Sequence, residues 1–128
     1  MDDYFIACLK INIHVDLCRC FYIKPNYPGR CSHICNGGFI TSPEYRRMGV
    51  ARVMGKAFCK LAKDLGYKSS YFNLVFKSNT ASVRLWESLG FKRVAELKEA
   101  ANIIGVDGLD TAYGYSFNLT QLPDDFQV

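Results

Sequence analysis

A short loop between a strand-like run and a helix-like run constrains this chain more than any other feature. Residues 37–41 form the strand-like run, and residues 50–65 have apolar side chains at helical spacing. Between them, residues 46–51 read Arg-Arg-Met-Gly-Val-Ala, and the small residues Gly49 and Ala51 let another group approach the backbone. The first N–H groups of a helix have no partner within it and favour an anion. The loop is therefore typical of a pyrophosphate-binding helix start, although an ordinary helix start has the same composition.

A second helix-like segment has the expected signals at both ends. Asn79 stands where a helix N-cap belongs, and Gly90 stands where a left-handed C-terminal cap belongs. Leu85, Trp86 and Leu89 form an apolar stripe between them. An amphipathic helix with good caps explains this segment by itself. It does not explain why a phosphate-type loop precedes the segment by one helix and one strand.

Together the two segments resemble the coenzyme A signatures of the GNAT acyltransferases. The loop has the spacing Arg-x-x-Gly-x-Ala, and residues 79–91 have the spacing Asn-x-x-small-x-x-Leu-aromatic-x-x-x-Gly-Phe. The resemblance implies an acetyl-CoA-dependent N-acetyltransferase with an α/β fold, in which a mixed central sheet has helices on both faces. It also implies a set of cofactor-binding residues, namely Phe39, Ile40, Thr41, Arg46, Arg47, Met48, Gly49, Val50, Ala51, Arg52, Asn79 and Trp86.

Periodicity and turn residues predict one domain, residues 1–128, with its core at about 18–119. The predicted order is β-β-α-β-α-β-β, an α/β mixed sheet. The helices are predicted at 50–65 and directly after Asn79, and the strands at 18–23, 33–41, 71–76, 91–99 and 111–119.

Four segments carry more detailed expectations. Segment 71–76 is almost entirely apolar, which predicts a central strand covered on both faces. Segment 111–119 alternates, which predicts a half-buried strand. Residues 37 and 38 are both glycine, which predicts a bulge or a close backbone approach. Segment 99–108 is predicted as a loop or a short helix.

Composition and charge narrow the class of protein. Apolar residues make up 49% of the chain and the net charge is +4, which is typical of a folded globular domain. A basic rim around a polyanionic cofactor explains the small positive excess at least as well as nucleic acid does. The chain contains no run long and apolar enough to cross a membrane, and its acidic start does not look like a leader. We expect no nucleic-acid or membrane partner, and a cytoplasmic location with the mitochondrion or nucleus as alternatives.

The cysteines could suggest a metal site. The chain has six cysteines, and the pattern Cys31-x-His33-x-Cys35 follows Cys18-x-Cys20. These spacings differ from the two-residue gaps common in structural zinc sites. Cysteine in an apolar strand also behaves as a small hydrophobic residue. We therefore expect reduced thiols and no metal.

The resemblance is closer to one branch of the family. Residues 21–27 (Phe-Tyr-Ile-Lys-Pro-Asn-Tyr), 30–33, 35–36, 65–68 and 72–76 (Phe-Asn-Leu-Val-Phe) resemble the fungal L-azetidine-2-carboxylate acetyltransferases, which confer resistance to proline analogues. The resemblance covers about residues 20–119. It implies acetyl transfer to the secondary amine of a small proline-like amino acid by a homodimer in the cytoplasm or mitochondrion.

Two asparagines match positions of this branch. The resemblance implies that Asn36 and Asn73 are catalytic and that both bind substrate together with Leu74. An asparagine amide can donate to a carboxylate and accept from an amine, and an N–H near Leu74 could stabilise an oxyanion. His33 is a conceivable base, but alternation turns it away from Asn36, so a structural role is favoured. Trp86 occupies the place of the usual general-acid tyrosine. We therefore expect direct attack by a deprotonated amine, with water accepting the proton.

Each asparagine also has a purely structural interpretation. Asn36 before two glycines could reflect turn chemistry alone. Asn73 is harder to explain in this way, because it lies among apolar residues, where a polar side chain destabilises the fold unless it is paired. A functional role is favoured for both asparagines.

The amino-terminal part departs from the resemblance. The family has a strand, two helices and a second strand before the matching region, so this chain looks truncated and should lack the usual N-terminal strand and helices. Residues 4–9 and 11–15 could supply one or two strands. A missing strand would leave an open sheet edge that favours pairing with another chain. Two alternatives therefore stay open: a catalytically impaired acetyl-CoA-binding remnant, or an acetyltransferase for another small amine or a peptide.

Overall fold

A computed structural model describes the backbone of residues 5–9, 19–41 and 49–128, and the side chains of residues 20–40 and 49–128. Over these ranges the chain forms six strands and two helices. Their bounds are β1 Phe5–Leu9, β2 Arg19–Pro25, β3 Ile34–Thr41, α1 Val50–Asp64, β4 Ser69–Phe76, α2 Thr80–Ser88, β5 Lys92–Ala101 and β6 Asp110–Asn118. The predicted order is confirmed. Of the two candidate strands before it, the one at 4–9 is confirmed as β1 over residues 5–9, and the one at 11–15 lies outside the described residues.

The strands form a mixed sheet in the order β1-β2-β3-β4-β6-β5. Strand β2 is antiparallel to both β1 and β3, and β5 is antiparallel to β6. Strand β3 is parallel to β4 through the pairs Ile34↔Ser69 and Cys35↔Ser70. The predicted α/β fold with a mixed sheet is therefore confirmed.

The chain divides into two compact units, which are described separately. The first comprises Met1–Ser70 and Asn118–Val128, and the second comprises Tyr71–Phe117. In the first unit, α1 packs against β2 and β3 through the rings of Phe21, Phe39 and Phe58, whose centroids are 5.2 to 5.9 Å apart. Burial of three aromatic rings contributes several kcal/mol and fixes the helix on this face of the strands.

Helix α1 follows the predicted apolar stripe with one exception. Its buried residues recur at helical spacing, and they are Val50, Met54, Gly55, Phe58, Cys59 and Ala62. Leu65 was expected on the same face but is 42% exposed. It is the C-cap of the helix, and therefore lies beyond the last turn that packs. Gly66 ends the helix with φ +98°, a left-handed conformation that glycine adopts without strain.

The two glycines of β3 allow a close approach and do not form a bulge. The register with β2 runs without a shift from Arg19↔Thr41 to Pro25↔Cys35. A Cβ at Gly37 would lie 2.5 Å from the Phe58 ring and 2.8 Å from the Tyr22 carbonyl oxygen, and a Cβ at Gly38 would overlap the Tyr22 ring. Of the two predicted alternatives, the close approach is confirmed.

In the second unit an aromatic cluster holds α2 on the strands. The Trp86 ring lies 4.5 Å from the Phe72 ring and 5.1 Å from the Phe91 ring, and the Phe117 ring lies 4.9 Å from the Phe91 ring. Both predicted caps are confirmed. The Asn79 side chain accepts a hydrogen bond from the Ser82 N–H at 3.2 Å, and Gly90 has φ +93°.

A polar network also fixes the end of α2. Tyr115 is completely buried, and its hydroxyl donates to a Glu87 carboxylate oxygen at 3.0 Å. The Arg93 guanidinium pairs with the same carboxylate at 2.8 Å and lies 3.8 Å from the centroid of the Tyr113 ring. Burial raises the pKa of Tyr115, so its hydroxyl remains a donor at neutral pH.

Strand β4 is not covered on both faces. Asn73 is exposed and Leu74 is 54% exposed, whereas Phe72 and Val75 are buried. Because consecutive strand residues point to opposite faces, both faces are open at this point. The prediction of full coverage is wrong here, since an apolar sequence permits burial but packing partners decide it.

Strand β6 differs from its prediction in the opposite direction. Residues 112–115 are all buried, so the predicted half-buried pattern is wrong. The face of β6 that carries the small residues is covered because Tyr71 lies against Gly114, where a Cβ would overlap the Tyr71 hydroxyl.

Strand β5 extends to Ala101, and residues 102–109 are a loop, so the loop alternative is confirmed. Neither α1 nor α2 combines the length and apolar character needed to cross a bilayer.

Candidate active site

The N-terminus of α1 is accessible and begins at a glycine in the left-handed conformation. Gly49 is the N-cap with φ +71°, and a Cβ there would meet no atom within 4 Å. Among the described residues, no side chain caps this helix start. Gly49 is exposed, Ala51 is half-buried and Arg52 is exposed, so the first turn is accessible and carries a cation. Such a helix start attracts a phosphate group through its N–H groups and its dipole.

Part of the predicted loop cannot be placed. Arg46, Arg47 and Met48 lie outside the described residues, as does the side chain of Thr41. Their assignment to the cofactor therefore stays a prediction. Val50, also predicted at this site, is buried on the core side of α1.

Strand β3 separates the predicted residues onto two faces. Gly37 and Phe39 point toward Phe58 of α1. By alternation, Asn36 and Ile40 point to the opposite face, where Ile40 is 69% exposed. Of the two predicted cofactor residues on this strand, Ile40 is thus presented to solvent, while Phe39 takes part in the core.

Asn36 offers donors rather than an acceptor to this open face. Its Oδ1 accepts a hydrogen bond from the Gly37 N–H at 2.8 Å, which also fixes the orientation of the amide. The side chain is half-buried. The two hydrogens of its Nδ2 atom therefore remain to meet an oxygen of a ligand.

Two residues that sequence reasoning did not assign share this face. Tyr22 pairs with Gly38 and Lys24 pairs with Asn36 in the antiparallel register, and directly paired residues have side chains on the same face. The Lys24 ammonium lies 5.6 Å from the centroid of the Tyr22 ring. The alternation of Tyr22 and Lys24 along β2 was visible in the sequence, but their pairing with β3 was not.

In the second unit the predicted residues differ in accessibility. Asn73 and Leu74 are exposed in the middle of β4. Asn79 is exposed, and its Oδ1 is engaged as the α2 cap. Trp86 is only 5% exposed, because its ring lies in the aromatic cluster. The binding role of Asn73 and the cofactor roles of Asn79 and Trp86 stay predictions.

Two cysteines and a histidine of the first unit lie away from this open face, whereas Cys20, which pairs with Ile40, shares it. Burial raises the pKa of Cys35 to about 11 and that of Cys59 to about 12, so both are neutral thiols at neutral pH. The His33 side chain is exposed, although its carbonyl oxygen accepts from the Lys68 N–H at 2.9 Å. In the described ranges, no three His, Cys, Asp or Glu side chains group closely enough to hold a metal ion. Cys18, the first residue of the cysteine pattern, is outside those ranges.

Comparison with known proteins identifies the family. The model of the acetyltransferase (GNAT) family matches residues 2–91. The chain belongs to the GNAT family. Its strand order, the exposed start of α1 and the capped helix α2 are therefore the framework of a GNAT domain, and the predicted GNAT fold is confirmed. Members of this family use acetyl-CoA as the acetyl donor, so the predicted cofactor is confirmed as well.

Individual relatives agree with this assignment. N-acetyltransferase aca1 of Schizosaccharomyces pombe is 47% identical over 119 residues, which cover 93% of this chain and 57% of aca1. This GNAT chain therefore spans little more than half the length of that relative.

Solved structures share the fold. A GCN5-related N-acetyltransferase from Kribbella flavida has a TM-score of 0.76 at 26% identity, over 80% of this chain and 60% of that one. The structure of yncA from Salmonella typhimurium with its cofactor acetyl-CoA has a TM-score of 0.72 at 18% identity, over 83% of this chain and 60% of that one. At 18% identity, the second likeness supports the fold alone.

Proposed function

We propose that this GNAT protein transfers the acetyl group of acetyl-CoA to a small amino acid, and that its acceptor is the secondary amine of a proline-like compound such as L-azetidine-2-carboxylate. The observation that carries the proposal is the amide of Asn36. Its oxygen is held by the Gly37 N–H, so its Nδ2 hydrogens face the open side of β3 as donors for a carboxylate. A small amino acid supplies that carboxylate.

The remaining residues have roles that suit an amide-forming reaction. Acetyl-CoA supplies an activated acetyl thioester. Asn36 would hold the carboxylate, and Asn73 would accept the amine N–H and so aim the nitrogen lone pair at the carbonyl carbon. The N–H of Leu74 would stabilise the negative charge that develops on the carbonyl oxygen. The new C–N bond would replace the C–S bond, water would take the amine proton, and the departing sulfur would take a proton back from water, so that coenzyme A leaves as the thiol.

The acceptor must be uncharged when it attacks. Strands β2 and β3, which carry Lys24 and Asn36, contain no Asp or Glu that could serve as a base. Ordinary amines are mostly protonated at neutral pH, so we expect the rate to rise with pH until the bound amine is deprotonated. We also propose that the protein is a homodimer and that it is located in the cytoplasm, with the mitochondrion or nucleus as alternatives.

One observation favours a second candidate function. Strand β4 exposes both Asn73 and Leu74. If the acceptor pocket does not close over β4, the protein would bind acetyl-CoA with little or no turnover, as a remnant of such an enzyme. Alternatively, the open site would acetylate a different amine or a peptide.

Thiol release from acetyl-CoA by the purified chain distinguishes these candidates. With L-azetidine-2-carboxylate as acceptor, we expect release that falls about tenfold in Asn73→Ala, because a hydrogen bond that orients the attacking amine is worth roughly 1 kcal/mol or more. Unchanged turnover in Asn73→Ala would contradict the assigned site. Acetyl-CoA binding by a folded protein without turnover would support the remnant, and turnover with peptides alone would support the open site.

A further inference from the structure

We propose that Lys24 binds the carboxylate of the acceptor and makes this GNAT domain selective for anionic over cationic amines. The inference rests on the proposed function and assigns its substrate class to one side chain. It starts from the register of β2 and β3, in which Lys24 is directly paired with Asn36. Paired side chains of antiparallel strands lie on one face with Cβ atoms about 5 Å apart, so an ammonium and an amide are neighbours.

The face around this pair is suited to a small ligand. Helix α1 covers the opposite face of β3, through the contacts of Phe58 with Gly37 and Phe39. On the Lys24 face, the Tyr22 ring lies over Gly38, which has no side chain to displace it. Lys24, Tyr22 and Asn36 are all half-buried and therefore partly accessible. The Tyr22 ring is a flat apolar surface, and the Lys24 ammonium and the amide hydrogens of Asn36 lie on the same face beside it.

Within the described part of the chain, no carboxylate pairs with the charge of this face. Lys24 takes part in none of the ion pairs among the described residues, which join Lys60 to Asp64, Lys63 to Asp124 and Arg93 to Glu87. The contact that it does make is with the Tyr22 ring at 5.6 Å. A half-buried ammonium that is paired only with a ring gains from a carboxylate ligand, since partial burial weakens solvent screening.

The same arrangement disfavours other acceptors. One hydrogen bond already occupies the Asn36 oxygen, so the pair Lys24 and Asn36 presents mainly donors and positive charge. A polyamine or a lysine side chain would bring its own positive charge and no acceptor oxygen. An amino acid brings a carboxylate that can bind the ammonium and the amide at once, with its amine held at a fixed distance from them.

Two acceptors that differ only in the carboxylate test the inference. We would compare L-azetidine-2-carboxylate with azetidine in the wild type, Lys24→Met, Lys24→Arg and the control Lys98→Met, whose lysine is exposed on β5. In Lys24→Met we expect the KM for L-azetidine-2-carboxylate to rise about tenfold or more. The KM for acetyl-CoA should stay unchanged, and the preference over azetidine should shrink by the same factor. Lys24→Arg should restore most of the preference, and Lys98→Met should match the wild type.

The outcomes separate the inference from the function on which it rests. An unchanged preference in a folded Lys24→Met protein would overturn the role of Lys24 while leaving acetyl transfer intact. If the wild type acetylates neither compound, the proposed function fails, and calorimetric titration with L-azetidine-2-carboxylate decides the role of Lys24. Binding that weakens about tenfold in Lys24→Met would support it, whereas equal binding, or none to the wild type, would overturn it.

Discussion

Gly37 and Gly38 illustrate how single residues limit the sheet of this GNAT domain. A Cβ at Gly37 would lie 2.8 Å from a backbone oxygen of β2 and 2.5 Å from the Phe58 ring. The three atoms nearest to a Cβ at Gly38 all belong to the Tyr22 side chain, which can rotate away. We therefore predict that Gly37→Ala lowers the free energy of unfolding by about 1–3 kcal/mol and that the matched variant Gly38→Ala lowers it less. Urea denaturation measures both, and equal losses would show that the β2 backbone yields as easily as the ring.

Two buried thiols predict a pH dependence of stability. In the folded chain the pKa of Cys35 is about 11 and that of Cys59 about 12, against an ordinary value of 9.0. As pH rises above 9, the unfolded chain loses thiol protons that the folded chain keeps, so the free energy of unfolding falls. The slope is at most about 1.4 kcal/mol per pH unit for each thiol. Urea midpoints from pH 8 to 10.5 should fall less steeply in the control Cys35→Ala/Cys59→Ala, and identical slopes would contradict the assignment.

At the scale of elements, Asn79 combines a measurable structural role with a predicted functional one. Its side chain caps α2 through the Ser82 N–H. Asn79→Ala should lower the free energy of unfolding by about 1 kcal/mol, whereas Asn79→Ser, which can still cap, should change it little. If Asn79 also contacts the cofactor, both variants should raise the KM for acetyl-CoA. An increase in Asn79→Ala alone would mean that the cap, and not a direct contact, sets the affinity.

How far each element could be predicted depends on how local its cause is. The ends of α1 and α2 could be predicted because caps such as Asn79, Gly66 and Gly90 act within one turn of chain. The exposure of Leu74 could not be predicted, since it depends on which side chains cover β4. The position of Lys24 could not be predicted either, because its proximity to Asn36 arises from the register between two strands.

For the whole molecule, family membership accounts for the exposed start of α1, whereas the proposed acceptor is inferred from individual side chains. Membership of the GNAT family accounts for a helix that begins at an exposed glycine, and for acetyl-CoA as donor. The acceptor is argued from β2 and β3 alone, through Asn36 and Lys24. Homodimer formation stays a prediction, and the outer strand β5 is a poor candidate for pairing with a second copy. Its register with β6 is interrupted twice, and interruptions and charges are devices that protect sheet edges.

Cofactor binding should be visible in the stability of the whole chain. A ligand at one hundred times its Kd stabilises the folded state by about 2.7 kcal/mol, so acetyl-CoA should raise the Tm. If the start of α1 binds the pyrophosphate, S-acetyl-pantetheine, which lacks the pyrophosphate, should raise the Tm less.

A variant of the helix start tests the same contact. A side chain at Gly49 has open space but opposes φ +71°, so Gly49→Ala should reduce the Tm gain from acetyl-CoA and leave the gain from S-acetyl-pantetheine unchanged. Gly29→Ala is the matched control, because Gly29 has φ +64° and equally open surroundings but lies between β2 and β3. Both variants should lose about 1 kcal/mol of stability from backbone strain, and equal gains from acetyl-CoA in the two would place the pyrophosphate elsewhere.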